Sequence, residues 1–263
     1  MTVDRPWRIG LRLLGLGYLA LLLLIPIGLV FYRTFENGVG AVYDSVTTPA
    51  AISAFSLTLT VTAIAVPLNC IFGVLCALAL ARGRFRGKKV VNALIDLPFA
   101  LPTIVAGLIL LALYGPTSPV GIDVAFTQFA VLLALLFVTL PFVIRAVQPV
   151  LIELDREMEE AALSLGASNR TVFRRVILPN LVPAILSGAA LAFARAVGEF
   201  GSIVLISGNI PFETQVASVF IFKQIESDNP IGAAAVSVVL LAVSLVVLFG
   251  IRTLEHWGAR HDA

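Results

Sequence analysis

Six stretches of the chain run apolar for twenty or more residues, each bounded by charge, proline or glycine. Leu13 to Tyr32 holds 20 residues without a charge, between Arg12 and Arg33. At about 1.5 Å per residue that crosses a hydrocarbon core of about 30 Å. Arg5, Arg8 and Arg12 resemble the basic start of a signal peptide, but the run is too long for one. No small-residue cleavage site closes it either, so it reads as a retained first span. Ile52 to Ala81 is the second span, and its start, ISAFSLTLTVTAIAV, places Ser and Thr where they can face other helices. Val90 to Tyr114 is the third, interrupted by Asp96, Pro98 and Pro102. Val124 to Ile144 and Leu178 to Ile206 follow, the latter carrying Arg195 and Glu199. The sixth, Ile231 to Ile251, is opened by Asp228, Asn229 and Pro230, which suit a helix start.

One polar island interrupts this pattern, within the loop 145–177. From Leu151 the sequence reads LIELDREMEEAALSL, and helical spacing puts Leu151, Leu154, Met158, Ala161, Ala162 and Leu165 near one face. Gly166 offers a helix end that tolerates positive φ. Ser168 is a plausible cap for a second short helix through Phe173, whose last turn carries Arg174 and Arg175. Pro179 marks the start of the fifth span. The product is a helix–turn–helix bracket, acidic first and basic second. A membrane-surface helix is the simpler alternative. Two features count against it: small residues Ala161, Ala162, Gly166 and Ala167 line the turn, and the acidic half would be repelled by anionic lipid heads.

Composition agrees with the spans. Hydrophobic residues make up 59% and charged residues 13%, against about 25% charged in soluble domains. Mean hydropathy is +1.00. The expected architecture is all-α, a single polytopic membrane domain over 1–263 with six helical spans. Basic residues orient it. With the N-terminus inside, three precede the first span, and five lie in RGRFRGKK (Arg82, Arg84, Arg86, Lys88, Lys89). Five more follow Ile144 (Arg145, Arg156, Arg170, Arg174, Arg175), and Arg252 and Arg260 lie in the tail. Only Arg33 and Lys223 fall outside, so fifteen against two puts both termini and the bracket in the cytoplasm.

Several chemistries are excluded or unsupported. A net charge of +2 does not argue for nucleic acid. GRFRGKK has three residues between its glycines where a phosphate-binding loop needs four, so it reads as a charge anchor. Cys70 and Cys76 share one apolar run as small core residues, and His256 and His261 sit in the charged tail. No catalytic or metal-binding motif occurs in the spans.

Glu160-Ala161-Ala162, then Gly166, then Val176-Ile177-Leu178-Pro179 resembles the EAA signature of binding-protein-dependent ABC importer permeases. The departure is Val176, where isoleucine is usual. The resemblance implies a type I ABC importer permease fold in a bacterial cytoplasmic (inner) membrane. It implies a coupling helix, seated in a groove of a separate ATPase subunit, in which Glu160, Ala161, Ala162, Gly166 and Ala167 transmit movement. Phe173 would anchor the bracket to the membrane helices. The implied partners are two ATPase subunits, a second homologous permease and a solute-binding protein. ATP and Mg would be bound by the ATPase and no cofactor by this chain. LPFALPTIVAGLILLALYG, LPFVIRAVQPVLIEL and ARAVGEFGSIVLISGNIPFETQVASVFIF are similar to the sulfate/thiosulfate permease, T subunit type. Molybdate permeases share parts of this, so another oxyanion stays open, as does a secondary transporter working alone.

Charges inside spans are costly and face a partner or a watery cavity. Arg195 and Glu199, at i and i+4, either pair to hold the bundle or leave Arg195 to attract an oxyanion along a path. Gly198 and Gly201 flank Glu199 and allow a bend or a close helix contact; Pro98 and Pro102 break or bend the third span. Asp96 would repel an anion, which suits a gating or structural role. The outer segment around Val216, Val219, Phe220 and Ile221 is apolar enough to lie on or dip into the membrane, and the resemblance implies that it docks a binding protein.

Overall fold

Some helices of this chain end at proline or glycine, while Pro67, Pro141, Pro149 and Pro183 lie inside helices. In the computed structural model the backbone is described for residues 5–259 and the side chains for 10–253. His261 and Arg260 lie outside the described residues, as do the side chains of Arg5, Arg8 and His256. The helices are α1 (Arg5–Leu19), α2 (Ile25–Phe35), α3 (Gly38–Val46), α4 (Pro49–Arg82), α5 (Lys88–Ile95), α6 (Leu97–Ala100) and α7 (Thr103–Tyr114). They continue with α8 (Gln128–Glu153), α9 (Arg156–Ser164), α10 (Asn169–Val172), α11 (Leu178–Val197), α12 (Gly201–Ile206), α13 (Ala217–Glu226) and α14 (Pro230–Ala259). Among the described residues five helices are long and apolar enough to cross a membrane: Gly10–Phe35, Pro49–Arg82, Gln128–Glu153, Asn169–Val197 and Pro230–Thr253.

Two of these pass through π turns, Ala20–Leu24 and Phe173–Ile177, each ending one residue before Leu or Ile followed by proline. A proline ring clashes with the carbonyl four residues back, and one widened turn relieves that clash without ending the helix. The bracket's second helix is therefore not a separate short element. It runs unbroken from Asn169 to Val197, which corrects the expected boundary at Leu178.

The third expected span is not one helix either. Leu101 and Pro102 are extended, with ψ of 136° and 134°, because a residue before proline is kept out of the helical region. What remains is α5, α6 and the 12-residue α7. At about 18 Å, α7 is shorter than a bilayer core. The fourth span starts later than Val124 and continues to Glu153, so Arg145 lies within a helix and not in a cytoplasmic loop. Arg145 staples the broken third span to α8. Its Nε and Nη2 donate to the two carboxylate oxygens of Asp96 at 2.7 and 2.6 Å. Nη1 donates to Asn92 Oδ1 at 3.1 Å and Gln148 Oε1 at 2.6 Å, and Nη2 also donates to the Asn92 carbonyl at 3.1 Å.

The core is where α4, α8 and α11 cross. Leu80, Val143, Ile144, Val147, Leu151 and Leu181 are buried there. Val143 sits between two glycines. A β-carbon at Gly73 would meet Val143 Cγ1 at 2.8 Å, and one at Gly188 would meet Val143 Cα at 2.9 Å. With little hydrophobic drive between helices in lipid, such close backbone approach supplies the dispersion contact that holds them. A second cluster joins α4, α7, α8 and α12 through Val61, Leu110, Val131, Leu135 and Ile203. Asn69 ties α4 to α8, its Nδ2 donating to Thr139 Oγ1 at 2.8 Å and the Leu136 carbonyl at 3.0 Å.

Overpacking the crossing should show directly. Gly188→Val is expected to cost about 1–3 kcal/mol and to lower the melting temperature of the detergent-solubilised protein. Gly40→Ala, inside α3 where an added β-carbon meets nothing within 4 Å, should keep or raise it, since alanine favours a helix over glycine. Arg145→Gln should cost about 1–2 kcal/mol and speed hydrogen exchange between Asn92 and Ala100, while Arg145→Gln with Asp96→Asn recovers part of that protection.

Candidate functional site

The polar island folds into a knob whose caps are local hydrogen bonds. The helical face expected from Leu151 to Leu165 is broken, because Leu154 and Asp155 are both extended. Asp155 then caps α9, its Oδ1 accepting from the Glu157 amide at 2.9 Å. At the other end Gly166 takes φ of +85°. The Ala167 amide donates to the Ala162 carbonyl at 3.1 Å and the Gly166 amide to Leu163 at 2.9 Å. These are the paired bonds of a Schellman cap, for which a left-handed residue is required. One residue later Ser168 starts the next helix, its Oγ accepting from the Thr171 amide at 3.3 Å.

The knob has an inner and an outer surface. Ala162, Ala167, Phe173 and Leu154 pack against the core cluster of α4, α8 and α11. Glu160, Ala161 and Gly166 are exposed, and Leu165 at 90% is among the barest side chains in the chain. Met158 and Leu163 are exposed as well. The EAA residues therefore divide, with Ala162 and Ala167 facing inward and Glu160 and Ala161 facing out. Arg82, grouped by sequence with a charge anchor, closes the knob onto α4. It pairs with Glu159 and donates to the Leu154 carbonyl at 3.3 Å. No spacing in the sequence marks that contact, since 77 residues separate the partners.

A second polar centre lies where α11 ends. Arg195 and Glu199 form an i,i+4 ion pair in which Glu199 is buried and Arg195 keeps 31% of its side chain exposed. Ser202 donates from its amide and its hydroxyl to Glu199 Oε1, at 2.8 and 2.9 Å. Ser218 Oγ, on α13, donates to the Glu199 carbonyl at 2.6 Å. Gly198 ends α11 with φ of −88° and has room around it. Gly201 is a contact point: a β-carbon there would strike the Thr103 hydroxyl and come within 2.9 Å of the Ile104 amide. Asp96 lies apart from this centre, clamped by Arg145, with Pro98 in α6 and Pro102 at the break.

The outer segment folds inward. Ala217, Val219 and Phe220 of α13 are buried, and Thr58 Oγ1 on α4 accepts from the Ala217 amide at 2.8 Å. Thr58 and Thr62 belong to the Ser/Thr-rich start of the second span, and both are buried. Cys70 and Cys76 are free thiols packed at the edge of the core.

Known proteins share this arrangement. Residues 69–257 match the family described as the binding-protein-dependent transport system inner membrane component. The sulfate transport system permease protein CysT of Synechococcus elongatus is 46% identical over 252 residues, 93% of this chain and 91% of that protein. CysT of Salmonella typhimurium is 41% identical over 248 residues, 92% of this chain and 90% of that protein. Among solved structures, a bacterial ABC transporter involved in import of the acidic polysaccharide alginate matches with a TM-score of 0.78 at 17% identity, covering 96% of this chain and 99% of that one. The same transporter in complex with an alginate pentasaccharide-bound periplasmic protein also matches at 0.78, with 18% identity. The chain, an all-helical membrane-spanning permease, belongs to the family of binding-protein-dependent transport system inner membrane components.

Proposed function

We propose that the chain is the transmembrane permease subunit of an ATP-driven importer for sulfate or thiosulfate. The observation that carries this is identity of 41–46%, over nine-tenths or more of both chains, to sulfate transport permeases. Its partners are two ATPase subunits, which bind ATP and Mg, a second homologous permease and a solute-binding protein. The complex of the alginate transporter with its periplasmic protein supports the last of these. The chain sits in the inner membrane with both termini and the bracket on the cytoplasmic side, in line with its fifteen-to-two bias of basic residues.

Coupling follows from how the knob is built. Glu160, Ala161 and Leu165 present a small exposed surface to the ATPase, while Ala162, Ala167 and Phe173 seat it on the core. The Schellman turn at Gly166 is closed by backbone hydrogen bonds, so α9 moves with the helix that follows. That helix continues without a break to Val197, about 42 Å away at 1.5 Å per residue. Arg82 carries the same movement into α4. At the far end the motion reaches the Arg195–Glu199 centre and, through Ser218, the outer segment α13.

Arg195 attracts the dianion and Glu199 keeps the attraction shallow. A partly exposed guanidinium draws the anion in; a buried carboxylate one turn away offsets most of its charge, so that the anion also leaves. Asp96 presents no naked charge, because Arg145 holds both its oxygens.

Labelled sulfate uptake into proteoliposomes carrying the whole complex tests this reading, with thiosulfate and molybdate as competitors. Strong competition by molybdate and none by thiosulfate would move the assignment to another oxyanion. Gly166→Asp strains a residue at φ +85° and adds a negative charge at a helix C-terminus. It is expected to cut uptake at least tenfold while the ATPase still copurifies; unchanged uptake would sink the coupling role. Arg195→Gln leaves Glu199 buried and unpaired and should reduce the yield of assembled complex. Arg195→Gln with Glu199→Gln should restore assembly but not uptake, and full uptake by that double variant would reduce the pair to a structural one.

A further inference from the structure

The bracket changes sign along its length, and only its acidic half is accounted for by contact with another subunit. Glu157, Glu159 and Glu160 all lie on α9, and Arg82 neutralises Glu159. The basic half, Arg170, Arg174 and Arg175, lines a cleft of about 610 Å³ together with Ser168 and Thr171. No carboxylate lines it. The ion pairs among the described residues use Arg82, Arg145 and Arg195, so none of the three arginines lining the cleft takes part in one.

We propose that this cleft holds the phosphate of an anionic phospholipid headgroup. Three observations converge on that ligand. Arg170 and Arg174 stand one helical turn apart with Arg175 beside them, so several forked donors can reach one phosphate. Ser168 and Thr171 add hydroxyls 2.9 Å apart at the start of a 29-residue helix, whose end favours negative charge. The depth is also right. Leu178 begins the apolar span only three residues beyond Arg175, about 4.5 Å along the axis. The guanidiniums thus sit where hydrocarbon gives way to headgroups. A soluble phosphate would meet the same donors, but a headgroup is already held at that depth by its acyl chains. The lipid would fix the foot of the Asn169–Val197 helix against the membrane surface while the knob beyond it is moved. This inference rests on the membrane orientation proposed above and not on sulfate as substrate.

The test is lipid retention by the intact complex with its ATPase, purified from membranes containing phosphatidylglycerol and read by native mass spectrometry. Wild type should retain phosphatidylglycerol, and Arg170→Gln with Arg174→Gln should lower retention at least tenfold, taking about fivefold per arginine. Arg84→Gln with Arg86→Gln removes the same charge elsewhere and should retain the lipid. The lysine pair Arg170→Lys with Arg174→Lys, which keeps charge but loses the fork, should fall between, and covers the case in which the glutamine pair misassembles. Equal retention by all variants overturns the site. Loss of the ATPase from the cleft variants alone assigns the cleft to a protein interface and overturns it too. Displacement of the lipid by millimolar inorganic phosphate overturns the headgroup as occupant. Absence of sulfate uptake by wild type with retention intact would overturn the substrate assignment alone.

Discussion

A helix that stops inside hydrocarbon strands amide and carbonyl groups that no water reaches, and each must be satisfied by a side chain brought from elsewhere. This chain stops helices at several such places, and its polar side chains are spent there. Arg145 reaches from α8 to the Asn92 carbonyl and to Asp96 at the first break. Ser202 and Ser218 gather around Glu199 at the second. Thr58 receives the first amide of α13, and Thr214 Oγ1 donates to the Ser207 carbonyl at 2.6 Å while accepting from the Ile210 amide. The irregular segments are thereby tied by hydrogen bonds to the helices around them.

The same rule orders the charges. Arg145 with Asp96, Arg195 with Glu199 and Arg82 with Glu159 are each an arginine and a carboxylate on neighbouring elements. Each pair sits at a joint: a broken span, the end of the long helix, the seat of the knob. Pairing lowers the cost of placing a charge in a membrane protein.

Much of this was legible in the sequence because lipid makes hydropathy a strong signal. Five of the membrane helices, the positive φ at Gly166 and the inward Thr58 and Thr62 of α4 follow from local pattern, whereas the packing of Phe173 was implied by the family resemblance. What was not legible depended on partners far apart in the chain. Arg145 looked like a loop residue because Ile144 ends a run of high hydropathy, and only the folded position of Asp96 explains why the helix continues past it. Arg82 looked like one charge among five. The continuity through Phe173–Ile177 was hidden because Pro179 suggests a start, whereas a π turn lets the helix pass. For Gly201 the sequence left a bend and a close contact both open, and its neighbour Thr103 decides for contact.

The glycine crossing at Val143 has a mechanical meaning. Gly188 is a point of close contact between the long helix and α8, and it does not divide that helix evenly. About 28 Å of helix lies between Asn169 and Gly188 and about 14 Å between Gly188 and Val197. Turning about that fulcrum, a stiff rod shifts its outer end half as far as its inner end, in the opposite direction and with twice the force.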